Sequence, residues 1–272
     1  MSEQPDHDHE EVSDPQNLLP IDEHIEEGQD TAGRRVPLRG VYLLPNLFTT
    51  ANLFVGFYSI THALRGQYSL AAASLFVAMV FDAFAGRVAR LTNTQSAFGA
   101  EYDSLSDMIA FGIAPALLAY SWALGDLGKV GWMVSFVYVA GAALRLARFN
   151  TQIGKVDKRY FTGLASPAAA GLVAGIVWAL DDLDVKGNNL VVPMAVIVAA
   201  AGLLMVTNIR YYSFKDLNLR GRVPFVTMLA MVLAIAIVST DPPRILALLF
   251  VIYAAYGPLQ YILCRYRKKR TN

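Results

Sequence analysis

Between Val80 and Gly112 the sequence reads VFDAFAGRVARLTNTQSAFGAEYDSLSDMIAFG. It places Asp82, Asp103 and Asp107, with Arg87, Arg90 and Glu101, between and inside stretches that otherwise look soluble in lipid. Asp82, Gly86, Ala89 and Arg90 follow one another at steps of three and four, so they share a face if this segment is helical. Asp103 and Asp107, four apart, share a face of the next segment. A turn around Thr92 to Gly99 would join the two and let the carboxylates converge near one end of a bundle. Converging carboxylate oxygens suit a hard divalent cation such as Mg2+ or Mn2+, which commonly shares its shell with substrate phosphates. Gly86 and Gly99 lack side chains and would let a phosphate approach the backbone, and Arg90 could pair with it. Ionisable residues at membrane depth are functional candidates by default. The spacing also admits a plainer reading, in which Asp82 with Arg87 or Arg90, and Asp103 with another base, are ion pairs at helix ends.

The elements that must carry these residues are read from hydropathy. A helical span needs about 20 apolar residues to cross a hydrocarbon core of roughly 30 Å. Eight runs qualify as candidates, near 46–64, 68–89, 103–124, 130–147, 166–181, 189–207, 223–240 and 243–264. Short connections and the exclusion of open sheet edges from lipid predict an all-α fold, a polytopic membrane bundle of about eight transmembrane helices. Nineteen Lys or Arg residues fall on one side of these spans and four, Arg65, Lys129, Lys186 and Arg244, on the other. The positive-inside rule then puts both termini in the cytoplasm, with the acidic cluster on the same side.

The 272 residues are 55% apolar, and the single cysteine, Cys264, excludes a disulfide framework within the chain. A net charge of +1 argues against a nucleic-acid partner. Residues 1–33 carry eleven Asp or Glu, no Lys or Arg, and His7, His9 and His24, and have almost no apolar periodicity. They are expected to be a disordered acidic tail. With no basic n-region and no apolar h-region, the tail is not a signal peptide. Residues 34–44 mix basic and apolar side chains and predict an interfacial juxtamembrane segment, although Pro37 argues against a long regular helix there. The remaining divisions are a catalytic core over 45–182, additional transmembrane helices over 183–264 and a basic cytoplasmic tail over 265–272.

The run Asp82–x2–Ala85–Gly86–x2–Ala89–Arg90–x8–Gly99–x3–Asp103–x3–Asp107 resembles the signature of the CDP-alcohol phosphatidyltransferase family, D-x2-D-G-x2-A-R-x8-G-x3-D-x3-D. Every defined position agrees except the second aspartate, whose place Ala85 takes. Within that family the likeness is to the integral-membrane bacterial phosphatidylserine synthases. Tyr42-Leu-Leu-Pro45-Asn46-Leu-Phe-Thr49-Thr-Ala-Asn52 resembles their first-span motif. Arg145-Leu-Ala-Arg148-Phe-Asn150 and Tyr160-Phe-Thr-Gly163-Leu-Ala-Ser166-Pro167 resemble later segments.

The resemblance implies a bacterial cytoplasmic membrane enzyme in which an alcohol attacks the phosphorus nearer the diacylglycerol of CDP-diacylglycerol and CMP leaves; for this branch the alcohol is L-serine. It implies Asp82, Asp103 and Asp107 as metal ligands for Mn2+ or Mg2+, Ala85 as a vacated ligand position, and Asp107 as general base. It implies a CDP-lipid cradle from Gly86, Ala89, Arg90 and Gly99, bordered by Asn46, Thr49 and Asn52. Serine is a zwitterion whose carboxylate calls for a cationic or amide-rich pocket, for which Arg145, Arg148, Asn150 and Lys158 are the candidates. Family members are commonly homodimers, which is the only ground for expecting one here.

Ala85 has two readings, a deliberately inactivated chain or a natural divergent member with altered activity, and the chain as written is expected to be severely impaired. Two rival functions remain: transfer to glycerol phosphate or an inositol phosphate, and a non-catalytic lipid-binding or transport protein.

Overall fold

The computed structural model describes residues 27–29, 35–37, 43–92, 96–152, 160–212 and 225–270. Eight helical rods occupy the eight expected runs. They are α1 (Leu43–Leu64), α2 (Tyr68–Leu91), α3 (Ala97–Asp107) continued by α4 (Ala114–Trp122), α5 (Lys129–Gln152), α6 (Ser166–Asp182), α7 (Val191–Val206), α8 (Phe225–Thr240) and α9 (Pro242–Arg270). Five are long and apolar enough to cross a membrane: α1, α2, the α3–α4 rod, α5 and the Pro242–Tyr261 part of α9. Two short antiparallel ladders complete the described structure. Strand β1 (Glu27–Gln29) pairs with β2 (Arg35–Pro37), and β3 (Tyr160–Thr162) with β4 (Arg210–Tyr212). Thus part of the expected acidic tail and of the 34–44 segment is a ladder; the rest of both, up to residue 42, lies outside the described residues, as do Lys155, Lys158 and Arg159.

Helix α1 shows how this bundle is made. Its buried stripe is Pro45, Thr49, Asn52, Gly56, Ser59 and Ala63, at alternating steps of four and three, while Leu47, Phe54, Phe57 and Leu64 are exposed. Small and polar residues face inward and large apolar ones outward, the arrangement expected where lipid replaces water outside and close backbone approach drives association. A Cβ at Gly56 would lie 2.8 Å from Ala110 Cα, so α1 passes against the third rod at a distance only glycine allows. The turn into α2 closes at Gly66, φ +76°, a left-handed position suited to glycine, and Gln67 N–H returns to His62 O at 2.9 Å.

The third rod starts earlier than its apolar run suggests. Ser96 caps it, its hydroxyl accepting from Gly99 N–H at 3.0 Å, so Gly99 lies in the first turn of α3 and the link from α2 is only residues 92–96. The reason is local: a cap needs no hydropathy, and a hydropathy window cannot see it. Directly after Asp107 the rod widens into a π-helical stretch, Met108–Ile113, in which Ala114 N–H reaches back five residues to Ile109 O. Pro115 cannot return an N–H to Phe111 O, and the buried Tyr138 hydroxyl of α5 donates to that carbonyl at 3.2 Å.

Helix α6 is almost wholly enclosed, from Ser166 through Val177, and packs against α2, α4, α7 and α9. Beside it α5 and α7 meet at paired glycines, a Cβ at Gly141 falling 2.4 Å from Gly202 O. The start of α1, the end of α2, the start of α3, the end of α5 and the start of α6 therefore gather at one end of the bundle.

Candidate active site

Asp82 lies nine residues before the end of α2, and Asp103 and Asp107 on successive turns of α3. The crossing of these helices brings one ligand oxygen from each carboxylate within 4.8 Å of the others, the only such acidic or histidine cluster among the described residues. Arg87 and Arg90 do not pair with any of the three. Arg90 Nε donates back to Gly86 O at 2.8 Å, and the ion pairs among the described residues are those of Arg244 with Asp182 and Asp241 at the opposite end. Among the described residues, then, no ion pair of the plainer reading is formed. Like charges at about 4.8 Å repel by roughly 3 kcal/mol at an effective dielectric of about 20, so three ionised carboxylates need a positive partner.

Helix α1 supplies donors to two of them. Thr49 hydroxyl donates to Asp103 Oδ1 at 3.4 Å, and Asn52 Nδ2 to Asp107 Oδ1 at 3.1 Å. Their spacing of three on α1 matches the four-residue spacing on α3, so the two helices meet as paired rungs. Ser106 hydroxyl closes the join on Thr49 O at 3.0 Å, and Thr50 and Tyr102 hydroxyls meet at 2.9 Å on the exposed side. Asn46 sits one turn earlier, its Oδ1 3.5 Å from where a Gly99 Cβ would be. Phe48 stacks on Phe84, ring centroids 5.9 Å apart, and holds α1 to α2 beside the cluster.

Ala85 is buried, one turn beyond Asp82, and contributes no donor. Gly86 faces open space: a Cβ there would meet nothing nearer than the mobile end of Arg90, at 3.9 Å. Ala89 is half-buried on the same turn. From α5, Arg145 donates to Ser166 Oγ at 2.9 Å and lies close enough to Asp107 and to Tyr253 of α9 to interact with both electrostatically. Arg148 turns away to Asn208 Oδ1 at 2.8 Å, and Asn150 binds Ser104, its Nδ2 donating to Oγ at 3.0 Å. The structure thus brings Arg145 near Asp107 and leaves Arg148 and Asn150 tying α5 to Asn208, just past α7, and to α3. Ser106, Ser166 and Tyr253 are additions that no spacing pattern marks, because each is recruited from a different helix by packing.

The donor set fits a hard divalent ion: three convergent carboxylates beside an open backbone at Gly86. A cavity of about 380 Å³ at the opposite end, lined by Tyr68, Asp126, Asp181 and Lys186 among others, has no such convergence.

Residues 42–257 match the CDP-alcohol phosphatidyltransferase family. The chain is 38% identical over 229 residues to the CDP-diacylglycerol–serine O-phosphatidyltransferase of Helicobacter pylori, covering 84% of this chain and 94% of that protein. It is 31% identical over 225 residues to the protein of that name from Methanocaldococcus jannaschii, covering 83% and 97%. The corresponding protein of Saccharomyces cerevisiae is 36% identical over 149 residues, 50% of this chain and 53% of its own length.

Proposed function

Since the chain belongs to the CDP-alcohol phosphatidyltransferase family, we propose that it is a phosphatidylserine synthase of the bacterial cytoplasmic membrane, with both termini cytoplasmic, working as a homodimer. It transfers the phosphatidyl group of CDP-diacylglycerol to the hydroxyl of L-serine and releases CMP. The observation that carries the reading is the convergence of Asp82, Asp103 and Asp107 within 4.8 Å, backed by α1 and reached by Arg145.

Asp82, Asp103 and Asp107 would hold Mg2+ or Mn2+, which when bound neutralises the diphosphate and the charge that develops on departing CMP. Asp107 takes the serine hydroxyl proton on a carboxylate oxygen as the serine oxygen bonds to the phosphatidyl phosphorus. The bond from that phosphorus to the CMP phosphate oxygen breaks, and CMP leaves with the electron pair. Gly86, Ala89 and Gly99 present a surface without bulk on which the diphosphate can lie, and Arg90, on the same face, pairs with it. Arg145 receives the serine carboxylate. Lipid enters sideways between helices and serine from the cytoplasm.

Ala85 leaves this centre one carboxylate short, and the chain as it stands is impaired. The acceptor is tested by the lipid product formed by the Ala85→Asp protein from CDP-diacylglycerol with L-serine, glycerol 3-phosphate or an inositol phosphate. Phosphatidylserine is the expected product. A product formed only with a phosphorylated acceptor would replace this reading by the other branch of the family.

A further inference from the structure

Two buried side-chain polar atoms among the described residues have no hydrogen-bond partner, Asn52 Oδ1 and Arg145 Nε. Buried polar atoms in folded proteins are almost always paired, with protein, water or ligand, so each such atom calls for an explanation. These two are opposite in kind. An amide oxygen only accepts and a guanidinium nitrogen only donates. Both belong to side chains that attend the same carboxylate: Asn52 Nδ2 is 3.1 Å from Asp107 Oδ1, and Arg145 interacts with Asp107 electrostatically.

Asn52 is wholly buried, and its orientation is set by the chemistry of its neighbour. The amide must turn its NH2 toward the carboxylate, which leaves the oxygen unmatched. That acceptor, beside a cluster of carboxylates, suits a cationic donor and repels an anion. Arg145 Nε suits an anion. A phosphate could satisfy the arginine but not the amide oxygen, and a simple amine the reverse. A 2-amino-3-hydroxy acid carries an ammonium, a carboxylate and a hydroxyl within a few bonds of one another. It could meet Asn52 Oδ1, Arg145 Nε and Asp107 together.

On the reading given above, we infer that Asn52 is a specificity-determining residue of the acceptor site: its amide nitrogen holds Asp107, and its amide oxygen receives the ammonium group of the amino-alcohol substrate. The same contact makes Asn52 a positioning residue for Asp107, because fixing Oδ1 leaves Oδ2 to face the hydroxyl. This role differs from bordering the CDP-lipid, which the family likeness alone would give it.

The test is equilibrium binding to the chain in nanodiscs containing CDP-diacylglycerol and Mn2+, with three ligands: L-serine, 3-hydroxypropionate, which lacks the ammonium, and L-serinamide, which lacks the carboxylate. With Asn52 intact, L-serine should bind at least about tenfold more tightly than either analogue, the scale of one charge-assisted hydrogen bond. Asn52→Leu should collapse the preference for L-serine over 3-hydroxypropionate and keep that over L-serinamide. Arg145→Met should do the reverse. A merely structural loss would weaken all three ligands together. An unchanged preference over 3-hydroxypropionate in Asn52→Leu overturns the inference. So does a rise in the Mn2+ dissociation constant with that preference unchanged, which would give the amide oxygen to the cation. Were Asn52→Leu not to fold, equal binding of L-serine and 3-hydroxypropionate to the unsubstituted protein would overturn it equally. Failure of the parent reading looks different: no L-serine binding to any protein, and no serine-dependent CMP release from Ala85→Asp.

Discussion

Ala85 is 3% exposed and lies three residues after Asp82 on the same face of α2, whose Asp82 converges with two further carboxylates. A fourth acid there, buried among like charges, is costly without a cation and favourable with one. Ala85→Asp is therefore expected to lower the melting temperature of the metal-free protein and to enlarge the upward shift produced by Mn2+. Each tenfold gain in cation affinity adds about 1.4 kcal/mol of apparent stability at saturating metal. Equal Mn2+ shifts for the two proteins would mean that position 85 stands outside the cation site. At this scale the acidic positions were legible in advance, because helical spacing of three and four is written directly in the chain. The donors to Asp103 and Asp107 were not. Thr49 and Asn52 lie more than fifty residues away, and only the crossing of α1 over α3 shows which carboxylate each meets.

The element that sets this crossing is α1. Its inward stripe of small and polar residues lets it lie against the third rod, and Gly56, one turn beyond Asn52, is a point of close approach. A side chain at Gly56 meets Ala110 backbone, which cannot swing aside as a side-chain end can. Gly56→Leu should force α1 outward, lengthen both donor contacts and lower stability by about 1 to 3 kcal/mol, the usual cost of overpacking. In the Ala85→Asp background it should also reduce turnover more than a Leu at the lipid-facing Phe57, where no such contact exists. Comparable turnover for Gly56→Leu and Phe57→Leu would separate the α1 crossing from the site. Hydropathy placed this helix well, but it could not register the π-helical stretch after Asp107. That irregularity arises where Pro115 withholds a donor and Tyr138, from another helix, supplies one to Phe111 O. It ends the regular turn on which Asp107 stands.

Across the whole molecule, the alternation of apolar runs foretold eight rods, and eight are present among the described residues. Five reach the length and hydropathy of a membrane span, which makes this a multi-pass membrane protein. Helices α6, α7 and α8, of 17, 16 and 16 residues, are shorter than the roughly 20 that a span ordinarily needs. For α6 the reason is its enclosure: it contacts neighbouring helices along most of its length rather than lipid. Among the described residues, Arg87, Arg90, Arg145 and Arg148 belong to the end of the bundle where α1, α2, α3, α5 and α6 come together. That charge suits the proposed handling of a diphosphate-linked lipid and an amino acid. The central claim is that the acidic cluster of α2 and α3 is the reacting centre and that Ala85 leaves it incomplete. It is tested most directly by CMP release from CDP-diacylglycerol in vesicles with Mn2+ or Mg2+, with and without L-serine, for the chain as it stands and for Ala85→Asp. Serine-dependent release faster by orders of magnitude in Ala85→Asp is the predicted result; equal rates in the two proteins would contradict it.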